Sequence, residues 1–209
     1  MPNHAILLWG LLGLGVGSFC RVLIRRICQT ERARQSPVVE ALCGGAWLLA
    51  AVLCGQDAVT CVLVSALSAL LLVIAVVDWR TYTIPNGLNL AILALGIVRV
   101  ATDPGRWLHY LVGMVSVSGL FLLLHVLTGG RGLGMGDVKL MAGAGLLLGW
   151  MNILLAMLIG SVSGVLIHSL RMRRGAGNRL AFGPYLAFGI WVAALFGTGL
   201  WSAYLRLFL

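Results

Sequence analysis

The chain has 209 residues, of which 60% are hydrophobic and only 10% are charged. So little polar surface cannot cover a water-soluble globule of this size, which excludes a soluble domain and predicts an all-α, polytopic membrane protein. The net charge of +9 requires no nucleic-acid partner, because basic loops lying against an anionic lipid bilayer account for it.

The apolar runs predict eight transmembrane helices, six of them near the length of roughly 20 residues that a bilayer requires and the fourth and sixth shorter. In chain order they cover residues 4–26, 37–55, 59–77, 87–101, 107–127, 138–149, 151–170 and 182–205. The sixth is short, and both a full span and a re-entrant helix stay open for it, since a dozen residues rise only about 18 Å. We treat residues 1–209 as a single transmembrane domain.

The basic residues predict the orientation, since short cytoplasmic loops collect Lys and Arg. All but three of the 15 basic residues lie at the odd-numbered loops, the exceptions being Arg99, Arg106 and Arg206. Both termini are therefore expected outside the cytoplasm. The same bias favours a break near Gly149, because one long helix from 138 to 170 would place Arg171 on the outer side.

Two of the six acidic residues differ from the others in their setting. Asp78 ends the apolar run of helix three, and Asp137 follows "GLGMG" and opens helix six, so both are expected at the cytoplasmic end of the bundle. Ionisable groups at this depth are costly and usually functional. The simpler interpretations are an N-cap for Asp137 and an interfacial charge neutralised by Arg80 for Asp78. The other four acids lie in loops: Glu31, Glu40, Asp57 and Asp103.

A pair of adjacent carboxylates indicates acid–base chemistry. Both cannot ionise cheaply, so one keeps a proton while the other acts as a base, which is the working state of an aspartic protease. Gly134 and Gly136 would leave room for an extended peptide beside Asp137. A proton-coupled transporter using Asp78 and Asp137 as a relay is the alternative from another class, and an inactive structural subunit is a third.

The cysteines and histidines predict no metal site. A metal requires three or four convergent ligands, whereas the five cysteines contain no C-x-x-C pair and the four histidines are scattered over different helices.

Four segments resemble the prepilin peptidases (type IV leader peptidases), the bacterial branch of the G-x-G-D aspartyl membrane proteases. "GLGMGDVKLMAGAG" is similar to their G-x-G-D-x-K-L segment, and "DWRTYTIPN" to the segment around their first catalytic aspartate. "GSFCRVLIRR" resembles their first helix and "FGPYLAFG" their last. The four motifs occur in the family's order.

The resemblance implies that Asp78 and Asp137 are the catalytic pair and that Gly134 and Gly136 are motif glycines beside the substrate. It also makes Lys139 and Pro184 candidates for substrate binding. The implied substrates are type IV prepilins or pseudopilins, cut after a glycine at the cytoplasmic face of the bacterial inner membrane, with no cofactor needed for proteolysis. Oligomeric state is not implied.

The chain departs from the family pattern in its N-terminal segment. The first cytoplasmic loop, about 27–37, contains Cys28 alone in place of a zinc-binding insertion, and Arg21 stands where the family has asparagine. Many family members also methylate the new N-terminus with S-adenosylmethionine. These two departures leave that second activity open.

Overall fold

The fold is a bundle of α-helices, seen in a computed structural model that describes residues 3–29, 37–130, 132–173 and 181–208. The helices are α1 (Asn3–Cys28), α2 (Val38–Cys54), α3 (Ala58–Thr81), α4 (Asn86–Thr102), α5 (Trp107–Leu127), α6 (Met135–Leu148), α7 (Trp150–Arg173) and α8 (Gly183–Phe208). The described residues contain no strand. The predicted all-α class is confirmed, and each predicted span coincides with a helix.

The helices differ in their ability to cross a bilayer. Five are long and apolar enough by length and composition: α1, α3, α5 with its preceding turn, α7 and α8. The apolar helices α2 and α4 have 17 residues each, and α6 has 14. The chain is a polytopic membrane protein, and the choice between a spanning and a re-entrant α6 stays a prediction.

The predicted break between α6 and α7 lies at Gly149. Its φ of 79° and ψ of 171° end α6, and α7 begins at the next residue. The His109 ring fills the space where a side chain would stand, since a Cβ built on Gly149 would lie 1.8 Å from His109 Nε2. Only glycine satisfies both the backbone angle and this contact. α6 and α7 are therefore separate helices, as the distribution of basic residues predicts.

α6 occupies the middle of the bundle. Most of its side chains are buried, and it packs against α4, α5, α7 and α8. Its contact with α5 is backbone to backbone, because a Cβ on Gly113 would lie 2.5 Å from the Gly145 carbonyl oxygen. Small residues permit such close approach of membrane helices. α3, the most buried of the five long helices, packs on α1, α2, α4 and α8.

One end of the bundle, where α3 ends and α6 begins, is here called the aspartate end because Asp78 and Asp137 lie there. The opposite end is closed by polar contacts between neighbouring helices. Arg99 donates hydrogen bonds to Thr60 Oγ1 at 2.8 Å and to the Tyr110 hydroxyl at 3.1 Å, and that hydroxyl donates to Asp103 at 2.7 Å. Asp103 thus belongs to a network rather than standing alone in a loop.

The predicted first loop, about 27–37, falls mostly outside the described residues, as do Glu31, Arg32 and Arg34. The segment before it is tied to α2, because Arg21 forms a 2.5 Å ion pair with Glu40 and the Ser18 hydroxyl donates to the same carboxylate. Glu40 is therefore an interhelical partner and not the free loop charge that the sequence predicts.

Candidate active site

Asp78 lies inside the last turn of α3 and is only 5% exposed. The helix ends three residues later because Tyr82 adopts the left-handed conformation, with φ 54°, and its N–H donates to the Asp78 carbonyl at 2.8 Å. Arg80 is exposed, and no ion pair joins it to Asp78 in the described ranges. The interpretation of Asp78 as a charge neutralised by Arg80 is therefore wrong.

Gly183, at the start of α8, holds the Asp78 carboxylate. Its backbone N–H donates to Asp78 Oδ2 at 2.9 Å, in a buried contact between residues 105 positions apart. A Cβ on Gly183 would lie 2.7 Å from Oδ2 and 2.9 Å from the carboxyl carbon. Only glycine permits this approach of backbone to carboxylate. Sequence reasoning missed Gly183, although it stands inside the quoted "FGPYLAFG".

Asp137 is the third residue of α6 and is 8% exposed. The N-cap residue is Gly134, which makes no side-chain cap hydrogen bond. The interpretation of Asp137 as an N-cap is therefore wrong, because its own backbone is already helical. A carboxylate in the first turn still benefits from the positive end of the helix dipole.

The two carboxylates are close enough to interact electrostatically. They come from helices that the chain joins through α4 and α5, so the pairing depends on the packing of the whole bundle. Burial of both groups beside each other makes the doubly ionised state expensive. The arrangement can therefore hold one proton between two carboxyl groups, which is the requirement for general acid–base chemistry.

The loop between α3 and α4 and the first turn of α4 contact the segment that carries Asp137. Asn89, only 4% exposed, donates from Nδ2 to the Gly136 carbonyl at 3.1 Å. A Cβ on Gly136 would stand 3.1 Å from the Ile84 Cβ, so the loop packs directly on the turn that carries Asp137. Asn89 was also missed by sequence reasoning, and its only signal is its place one helical turn after "IPN".

The glycine-rich loop before α6 is pinned to the end of α5. Gly129 and Gly130 have φ values of 58° and 75°, which favour glycine. His125 Nδ1 lies 2.7 Å from the Leu133 carbonyl oxygen, and since that oxygen is only an acceptor, the ring nitrogen must donate. This contact fixes the segment that leads into Gly134.

The candidate substrate-binding residues lie in three different settings. Gly134 is exposed and extended, and a Cβ on it would lie 3.4 Å from Asp137 Oδ2, so it borders the carboxylate. Lys139 is exposed and donates to Asn86 Oδ1 at 2.9 Å, which ties α6 to the start of α4. Pro184 is half-buried and lines an apolar groove between α2, α3 and α8. Of the candidates, Gly134 alone has a described contact with an aspartate, whereas Gly136 precedes Asp137 in the chain and packs on Ile84.

Within the described residues, no three His, Cys, Asp or Glu side chains are grouped as metal ligands would be. Three of the cysteines, Cys20, Cys43 and Cys61, are buried among the helices. The absence of a metal in proteolysis stays a prediction.

Comparison with known proteins identifies a family. Residues 65–169 match the model of the type IV leader peptidase family. The chain is also similar to three proteins named prepilin leader peptidase/N-methyltransferase. The Pseudomonas putida protein is 30% identical over 86% of this chain, the Pseudomonas aeruginosa protein 34% over 65%, and the Escherichia coli protein 36% over 56%.

These matches cover 65%, 50% and 56% of the relatives' own lengths, respectively. The chain therefore spans between half and about two thirds of the length of these three curated relatives. No solved structure matches the chain significantly.

Proposed function

The chain belongs to the type IV leader peptidase family, and from that premise we propose that it is a membrane-embedded aspartic endopeptidase that removes the leader peptide from type IV prepilins or pseudopilins. The observation that carries the proposal is the pairing of two buried carboxylates, Asp78 and Asp137, from separate helices at one end of the bundle. The relatives' name supplies the substrate class.

Hydrolysis requires one base and one acid, and the aspartate pair supplies both. The ionised carboxylate takes a proton from water, whose oxygen attacks the scissile carbonyl carbon, while the protonated carboxyl group donates its proton to the carbonyl oxygen. Collapse of the tetrahedral intermediate then breaks the C–N bond. The carboxyl group that took the proton from water gives it to the leaving amine, and the other carboxylate recovers its proton from a hydroxyl group of the intermediate. The Gly183 N–H holds Asp78 in one orientation throughout.

We place the aspartate end at the cytoplasmic face of the bacterial inner membrane. Basic residues support this orientation, since Arg25 and Arg26 occupy the last turn of α1, and Arg171 and Arg173 the last turn of α7. Arg171 stacks on Trp79, next to Asp78, at 4.6 Å from the ring centroid. A prepilin's apolar helix leaves the bilayer at that face, so the cut would fall at the boundary.

A bulky residue at position 134 or 136 is expected to impair cleavage. The scissile segment must leave its helix and become extended, because intrahelical bonds shield its carbonyls. Gly134→Val would narrow the space beside Asp137 Oδ2, and Gly136→Val would push against Ile84. We expect cleavage to fall about tenfold or more in each variant, since misplacing reacting groups by about 1 Å costs up to 10²-fold.

The assay measures processed prepilin at matched enzyme levels in the membrane. Gly87→Val is the control, because a Cβ on Gly87 meets no atom within 4 Å. Normal processing by both Gly134→Val and Gly136→Val would exclude this account of the glycines.

Mass spectrometry of a co-expressed prepilin's N-terminus tests the proposal itself. We expect a product that begins directly after a glycine at the start of the apolar helix, and an uncleaved substrate would contradict the peptidase assignment. The same spectrum reports the mass of one added methyl group where methylation occurs.

The relatives are also named N-methyltransferases, and S-adenosylmethionine would supply the methyl group in such a reaction. In the segment "GSFCRVLIRR", Ser18 and Arg21 both bind Glu40. Because these polar groups are satisfied by each other, they fit a structural role better than the binding of a methyl donor. We therefore derive no methyl-transfer step.

A further inference from the structure

An apolar groove of about 390 Å³ lies between α2, α3 and α8. Ser68, Leu71 and Ala75 of α3 form its floor. Gly45 of α2 and Phe188 of α8 stand on its two sides, and Phe188 is 51% exposed. The groove therefore opens on the face of the bundle that meets lipid.

The floor of this groove is aligned with one of the paired aspartates. Ser68, Leu71, Ala75 and Asp78 follow one another at spacings of three and four residues, which places them on one face of α3. The distance from Ser68 to Asp78 along the axis is about 15 Å. On α8, Pro184 lines the groove directly after Gly183, which binds Asp78. On both helices the groove lining therefore ends within one turn of Asp78 or of its partner Gly183.

A cluster of buried residues adjoins the end of the groove far from Asp78. There α2, α3 and α8 meet through Ala50, Val64 and Leu195. The floor of the groove presents no unsatisfied hydroxyl, because Ser68 donates to the Val64 carbonyl at 2.7 Å. The groove is therefore apolar along its floor, and its end far from Asp78 adjoins a packed cluster.

We infer that this groove docks the apolar transmembrane helix of the substrate and so delivers the following scissile bond to Asp78. The inference rests on the proposed function and names the surface by which a prepilin would be recognised. The groove is too small for a whole helix, which is about 10–12 Å wide with its side chains. It accommodates a few apolar side chains of a helix lying along its mouth, and small residues such as Gly45 and Ala75 permit that close approach.

Filling the groove tests the inference without disturbing the fold. Gly45→Leu adds a side chain where a Cβ meets no atom within 4 Å. The matched control is Gly15→Leu, since Gly15 is an exposed glycine of α1 that is likewise free of neighbours. Each variant is assayed on a full-length prepilin in membranes and on a short peptide that spans the cleavage site but lacks the apolar helix.

We expect Gly45→Leu to lower cleavage of the full-length prepilin about tenfold, because close helix packing is sensitive to added bulk. The same variant should cleave the peptide as the wild type does. The Gly15→Leu control should resemble wild type on both substrates. If Gly45→Leu cleaves the full-length prepilin at the wild-type rate, the docking role of the groove is excluded, whereas the proposed peptidase activity stands. Equal loss on both substrates would also exclude the docking role, since that result indicates damage to catalysis.

Crosslinking provides a readout that does not depend on turnover. A photoreactive residue at Phe188 should crosslink to the prepilin helix, whereas one at Phe196, which is 40% exposed on the same helix but outside the groove, should not. Crosslinks to lipid alone at Phe188, or equal crosslinking at both positions, would overturn the proposal. If the wild type cleaves neither substrate, the proposed function fails, and this crosslink still decides whether the groove binds the helix.

Discussion

Asp78→Asn and Asp137→Asn will each abolish cleavage of a co-expressed prepilin while leaving the enzyme folded in the membrane. Each substitution removes one member of the acid–base pair, and loss of positioned proton transfer costs typically 10²–10⁴-fold. Asparagine has nearly the shape of aspartate, and its carbonyl oxygen can still accept the Gly183 N–H at position 78. The processed fraction is read from the shift in pilin mass, and folding from thermal unfolding in detergent.

The control variants remove the same charge at the opposite end of the bundle. Asp57 accepts the Val59 N–H as the cap of α3, and the hydrogen bond from Thr60 lowers the pKa of Asp57, so Asp57→Asn removes a true negative charge. Asn caps helices about as well as Asp. We expect Asp57→Asn and Asp103→Asn to cleave normally. Near-normal turnover by Asp78→Asn or by Asp137→Asn would exclude the catalytic pair.

Gly183→Ala will reduce cleavage about 100-fold, although the substitution adds a single methyl group to a helix. That methyl carbon would stand 2.7 Å from Asp78 Oδ2, so either the carboxylate must rotate or the start of α8 must move. Either change breaks the N–H contact that orients Asp78, and displacement of a catalytic group by about 1 Å costs up to 10²-fold. Turnover of a prepilin at matched expression measures the effect.

Gly199→Ala is the control on the same helix, because a Cβ there meets no atom within 4 Å. It should leave both activity and unfolding temperature unchanged. For Gly183→Ala we expect the loss of activity to exceed the loss of stability, since the remainder of α8 still packs on α3 and α7. If Gly183→Ala processes the prepilin within twofold of the wild-type rate, the proposed role of Gly183 in the active site is excluded.

Hydropathy made the eight helices predictable, but two of the bounds that matter most for the site were not. α3 runs to Thr81 and stops there because Tyr82 adopts the left-handed conformation. At a helix end this conformation usually belongs to Gly or Asn, so a tyrosine does not signal it. α6 begins at Met135 with Gly134 as its N-cap, so Asp137 occupied the sequence position where a cap would be expected. Helix ends whose capping residue the sequence does not single out escape this kind of prediction.

The site was predictable only as far as helix direction determines it. Alternating helices bring Asp78 and Asp137 to one end of the bundle, which the sequence pattern predicts from span order and charge. The contact from Gly183 depends on how α8 lies on α3, and no local pattern encodes a hydrogen bond across 105 positions. Lys139 was proposed for substrate binding because of the motif, whereas its side chain reaches Asn86.

The shortness of α4 has a consequence for the membrane around the protein. Its 17 residues rise about 26 Å, against a hydrocarbon thickness of about 30 Å. The helix nevertheless presents apolar side chains outward, since Leu90, Ile97 and Val98 are exposed. Local thinning of the bilayer is one way in which a membrane accommodates a helix shorter than its hydrocarbon core. Because α4 begins directly after the loop that follows Asp78, this thinning would shorten the path by which bulk water reaches the buried carboxylates, and the thickness of the host membrane would become a determinant of hydrolysis.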